Sequence, residues 1–153
     1  MFTFFLSLFT MFMTPVGLAA DAMPAAVPAQ AAVAPRLDWL DGIWRTDALE
    51  MKCGMTKIGI ACREEGQGET MKGAAADLAF TDGDGAASTL SVTLPSVPPS
   101  NFTEVSREGQ SVTFEMKTKV GMARLRFTRT GDELKIERGN PQAWATTMTY
   151  RKG

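Results

Sequence analysis

Cys53 and Cys62 are the only two cysteines in a chain that has no histidine, and these facts bound much of its chemistry. A structural zinc site takes four nitrogen or sulfur ligands, which two thiolates without imidazole do not supply. Without histidine there is no Ser-His-Asp or Cys-His nucleophile, and the commonest general base is missing. No other catalytic constellation replaces them. The expectation is a non-enzymatic protein with no metal and no cofactor. The cysteine spacing is not that of a dithiol redox motif. In an oxidising compartment such a pair forms a disulfide; in a reducing one it stays as two buried thiols. The loop it would close is short, so its stabilising contribution is modest.

The carboxylates are equally sparing. Asp82 and Asp84 in "TDGDG" resemble half of a calcium loop, but the twelfth position, where a bidentate glutamate belongs, is Thr93. Glycine–aspartate clusters of this kind make hairpin turns. Glu64 and Glu65 are adjacent, and adjacent strand residues point to opposite faces, so they read as a solvated rim. Asn101-Phe102-Thr103 matches the short glycosylation pattern, which matches often by chance. Arg124, Arg126 and Arg129, with Lys117 and Lys119, form the polar positions of an amphipathic hairpin. With 16 basic and 17 acidic residues the net charge is −1, which argues against a nucleic-acid partner.

Three segments carry these residues. Residues 2–20 form an uncharged apolar run that ends in Ala20-Asp21-Ala22, a small-x-small site, so residues 1–22 read as a secretory signal peptide. No basic residue precedes the run, and an uncleaved membrane anchor is the rival reading. Pro15 and Gly17 near its end favour cleavage, and no cysteine nearby offers a lipid attachment site. Residues 23–36 alternate alanine with proline and cannot hold a helix, so they form a linker. The expected product is periplasmic or secreted, with no integral membrane domain after cleavage.

From Leu37 to Gly153 the pattern has period two. Val112, Phe114 and Met116 alternate with Thr113, Glu115 and Lys117, and Leu125 and Phe127 alternate with Arg124, Arg126 and Thr128. Similar runs place Leu90, Val92 and Leu94 on one face, and likewise Ile58, Ile60 and Cys62, and Leu134 and Ile136. Trp144, Thr146, Met148 and Tyr150 read as one face of the last strand. The pattern predicts an all-β domain of about eight short strands in an up-and-down antiparallel meander. Closing it into a barrel removes exposed edges, and a two-sheet sandwich is the alternative. A short helical turn is expected at "RLDWLDG", residues 36–42.

"DWLDGIWR", residues 38–45, resembles the start of lipocalin-like (calycin-type) domains, in which Gly-x-Trp marks the first barrel strand. The resemblance implies that Gly42 bends the chain into the strand and that Trp44 plugs one end of the barrel. It also implies that Arg151, near the end of the last strand, packs over the indole. A longer match is to small bacterial domains of unknown function that begin Trp-Leu-x-Gly-x-Trp, here Trp39 to Trp44. Gly68-Glu69-Thr70-Met71-Lys72-Gly73 resembles a second shared element, and Gly131 to Leu134, then Glu137 and Gly139, resemble the family's ending. The chain departs after Phe114-Glu115, where it lacks the histidine and Asn-Pro found in similar domains.

The function expected from this likeness is an exported binding module for a small apolar ligand held in the barrel. The candidate lining is Trp44, Leu90, Val92, Phe114, Met116, Leu125, Phe127 and Met148, with Trp44 as the floor. The alternative is a solid barrel that serves as a protein-interaction domain. Methionines such as Met51, Met55, Met71 and Met122 suit either an adaptable lining or an ordinary core.

Overall fold

Ten strands alternate along the chain with tight connections, in a computed structural model that describes residues 36–83 and 87–153. The segment expected to be a signal peptide, the expected linker before Arg36, and Asp84 lie outside the described residues. A 3-10 turn, Leu37–Leu40, comes first, as "RLDWLDG" suggests. The strands that follow are β1 (Gly42–Arg45), β2 (Leu49–Met55), β3 (Gly59–Gly66), β4 (Ala75–Thr81) and β5 (Thr89–Thr93). Then come β6 (Ser100–Glu108), β7 (Ser111–Thr118), β8 (Gly121–Thr130), β9 (Glu133–Gly139) and β10 (Trp144–Lys152). Each pairs antiparallel with its neighbour in sequence, and β1 meets β10 to close the barrel. The sandwich alternative is thereby excluded.

Ten strands replace the expected eight because β2 and β4 are weakly marked in the sequence. In β4, Ala76, Leu78 and Phe80 are buried, but Ala75 and Ala79 on the other face are also small and apolar, which flattens the contrast. The motif Gly68–Gly73 forms the connection between β3 and β4 and contains a second 3-10 turn, Glu69–Met71.

Gly42 enters β1 at φ +128°, a conformation that side chains rarely adopt, so the sharp turn out of Leu37–Leu40 needs a glycine there. Trp44 is fully buried, and its indole N–H donates to the Leu40 carbonyl at 2.8 Å. Leu37, Trp39 and Leu40 are buried too, so the 3-10 turn caps one end of the barrel. Arg129, not Arg151, lies on the indole, with its guanidinium carbon 5.4 Å from the ring centroid. Arg151 pairs with Arg45 across β1 and β10, one residue out of phase with Trp44, so it points outward. Its side chain is 83% exposed and approaches Glu133 at 3.8 Å. Arg129 shares the inward phase of Leu125 and Phe127, and it also donates to the Trp39 carbonyl at 2.9 Å. Guanidinium and indole attract through the ring quadrupole, so the stacking partner is right in kind but comes from β8.

Two β-bulges reset the alternation. Val105 is an extra residue between Glu104 and Ser106 of β6, and Ala145 between Trp144 and Thr146 of β10. The second moves Trp144 to the opposite face from Thr146, Met148 and Tyr150, contrary to the uniform alternation expected. Gly139 makes this possible, because a Cβ there would lie 2.2 Å from the Ala143 carbonyl oxygen. Trp144 packs on the outer face under Arg126, whose guanidinium carbon is 4.4 Å from the ring centroid. Arg126 bonds Glu137 at 2.6 Å, and Arg124 bonds Glu115. The arginines of this hairpin are therefore neutralised locally, except that Arg129 has left the outer group for the interior.

Cys53 and Cys62 face each other across β2 and β3 and form a disulfide. Their separation of 9 residues limits the chain entropy that the bond removes. Replacing both with serine is expected to lower stability by about 2–3 kcal/mol on the loop-entropy scale. A urea midpoint with unchanged slope checks it, and alkylation should label both thiols only after reduction.

Candidate ligand cavity

Strand β8 runs the length of the interior and shows how it is filled. Its inward residues are Ala123, Leu125, Phe127 and Arg129, since their partners Met116, Phe114 and Val112 are core residues. At the capped end Arg129 reaches Trp44 and Trp39. In the middle Phe127 meets Phe80 edge-on at 5.2 Å between centroids, and Phe114 at 6.2 Å. Phe80 and Phe114 complete the triangle at 5.8 Å. These tilted contacts are the arrangement that ring quadrupoles favour, and they make this layer solid.

Beyond Phe127, towards Leu125 and Ala123, the interior is not filled. A cavity of about 250 Å³ lies there. Ala76, Leu78, Phe102 and Ile136 contribute to its largely apolar wall. Of the expected lining, Val92, Leu125, Phe127 and Met148 border it. Leu90, Phe114 and Trp44 are fully buried away from it, and Met116 packs partly buried against the core. Trp44 is consequently not the cavity floor: the phenylalanine layer, ending at Phe127, takes that place. The cause is volume, since three phenyl rings fill the section of barrel above the indole.

Polar groups also border the cavity. Glu64 lies across from Met51 and Ala76 in the ladders of β3, which puts it on the inward face. The Tyr150 hydroxyl donates to Glu64 Oε2 at 2.5 Å, and Tyr150 itself is fully buried. Burial first, and then the Glu64 carboxylate, push the Tyr150 phenol above its ordinary value of 10.0, while Arg138 works against them. Tyr150 therefore stays protonated and keeps donating. Arg138, opposite Leu125 in β9, reaches the cavity from an exposed position. Glu64 was expected on a solvated rim. Its phase with Ile60 and Cys62 is the signal that places it inside, as the phase with Leu134 and Ile136 does for Arg138.

The arrangement can enclose an apolar body and offer it an acceptor, Glu64, and a cation, Arg138. Among the described residues no group of three or more acidic or cysteine ligands could hold a metal ion. No described helix is long and apolar enough to cross a membrane. No protein-family model, curated protein or solved structure matches the chain.

Proposed function

We propose that this protein is an exported, non-enzymatic binding module that holds a small, mainly apolar ligand inside a lipocalin-like barrel. The observation that carries the reading is the 250 Å³ cavity beside the packed phenylalanine layer. Apolar pockets with a few converging polar groups are the usual form of small-molecule sites, though these commonly span about 300–1,000 Å³. A ligand of this site is therefore compact: a short chain or a single ring. Closure of the sheet and the Gly42-x-Trp44 entry into β1 favour the lipocalin-like assignment. Export rests on the apolar run at residues 2–20 and on the Cys53–Cys62 disulfide, which persists in oxidising compartments.

Phe127→Trp tests the reading, because the larger ring has the cavity beside it to enter. Binding of a compact apolar probe such as hexanol, followed by calorimetry, is expected to weaken at least about tenfold. The melting temperature should fall little. Overpacking of a filled core would instead destabilise by about 1–3 kcal/mol. Strong destabilisation together with no saturable binding to the parent protein would favour the solid, protein-interacting barrel. Native mass spectrometry of protein from its own host would identify a retained ligand directly.

A further inference from the structure

The polar groups at the cavity constrain the ligand's head group, an inference that rests on the binding reading above. Tyr150 is a fully buried donor in the wall, and its hydrogen is already committed to Glu64 Oε2. Among the described residues, no hydrogen bond or ion pair engages the other oxygen, Oε1, or the Arg138 guanidinium. The inner polar group is thus an acceptor in an apolar surround, and a carboxylate there favours any donor that reaches it. A ligand carboxylate entering head-first would meet Glu64, and two carboxylates at one site cannot both stay ionised without cost. An ammonium would gain from Glu64 but would surrender its hydration and face Arg138. Glu64 and Arg138 offset one another, and Arg124, the other charged residue bordering the cavity, is already paired with Glu115.

We infer that the cavity selects an uncharged apolar molecule with one hydrogen-bond donor, an alcohol, a phenol or an amide N–H, which is given to Glu64. The hydrocarbon part then lies against Leu125, Phe127, Val92 and Met148. Arg138 stays at the solvent side, where it disfavours cationic ligands.

The test is calorimetric titration of the oxidised protein with four ligands of equal chain length: hexanol, its methyl ether, hexanoate and hexylamine. Hexanol is expected to bind at least about tenfold tighter than the ether, which accepts but cannot donate, since hydrogen bonds to charged groups carry discrimination of that order. Hexanoate and hexylamine should be weaker than hexanol by similar factors. In Glu64→Leu, checked for an unchanged far-UV spectrum, hexanol and ether should bind alike. If that variant does not fold, the ranking on the parent protein decides alone. Ether or hexanoate binding as tightly as hexanol overturns the inference and leaves the cavity reading intact, and so does hexylamine binding tightest. Binding by none of the four at millimolar concentration overturns both.

Discussion

Trp44→Ala is expected to destabilise the barrel by about 3–5 kcal/mol, the usual loss on truncating a large buried aromatic. Whole domains are stable by only about 5–15 kcal/mol, so this one change removes a large share. The indole has no solvent exposure, fills the section next to the 3-10 turn Leu37–Leu40, and satisfies the Leu40 carbonyl. Its removal leaves a void that the closed sheet cannot collapse into, and strips Arg129 of the ring face it lies on. Trp44→Phe keeps part of the volume and loses the hydrogen bond, and should fall between parent and alanine. Arg151→Ala is the contrasting variant. Its exposed side chain makes only a long contact to Glu133, so a change within about 0.5 kcal/mol is expected. Urea unfolding of the three variants decides the matter. A large loss for Arg151→Ala with little for Trp44→Ala would overturn this account of the capped end.

The second large effect is expected at Glu104 and Arg107, a pair inside the barrel with side chains 11% and 7% exposed. Strict alternation would put residues 104 and 107 on opposite faces. The bulge at Val105 brings both inward. Arg107 Nε donates to Glu104 Oε1 at 2.9 Å and Nη2 donates to Oε2 at 2.5 Å. Ser88 N–H also donates to Oε2 at 3.0 Å, while Arg107 donates to the Ser88 hydroxyl at 2.7 Å. Glu104→Ala would remove the carboxylate that this buried guanidinium bonds through both Nε and Nη2, a loss of about 3–5 kcal/mol. Replacing both residues with leucine should recover part of that, because the two charges are then removed from the interior together.

The same pair sets a pH dependence. Burial pushes the Glu104 carboxyl up, but the Arg107 hydrogen bond, the Ser88 amide and the Arg107 charge outweigh it and hold it below the ordinary 4.5. A carboxyl depressed in the folded state binds its proton more readily when unfolded, so folding stability falls with pH. The contribution is complete above about pH 4.5 and is lost as pH drops through the lowered value. Glu137 acts with the same sign: its Arg126 hydrogen bond, helped by Lys135, exceeds the effect of burial. Glu104→Gln should flatten the acid limb of the stability curve. An unchanged limb would show that Glu104 gains nothing from its partners.

What the sequence determined by itself follows from local rules. The backbone of a strand turns each side chain away from its neighbour, so the phase of Leu125 and Phe127, or of Leu134 and Ile136, is set within a few residues. That phase, with the turns between strands, was enough for an all-β meander. Buried Trp44 came from the likeness of Gly42-x-Trp44 to the start of lipocalin-like domains. The Cys53–Cys62 bond, expected only for an oxidising compartment, was decided by the register of β2 and β3. Followed to the end, the phase also places Glu64, Arg129 and Arg138 inside, although charged residues on an inward face invite the opposite assignment. Tertiary structure decided the rest. The bulges at Val105 and Ala145 are extra residues only relative to a partner strand, so no single strand reveals them, yet they bring Glu104 to Arg107 and turn Trp144 outward. The choice of Arg129 over Arg151 depends on which strand end meets the capping turn. The cavity is the least local feature, because it is the difference between the space that ten closed strands enclose and the volume of every side chain directed into it.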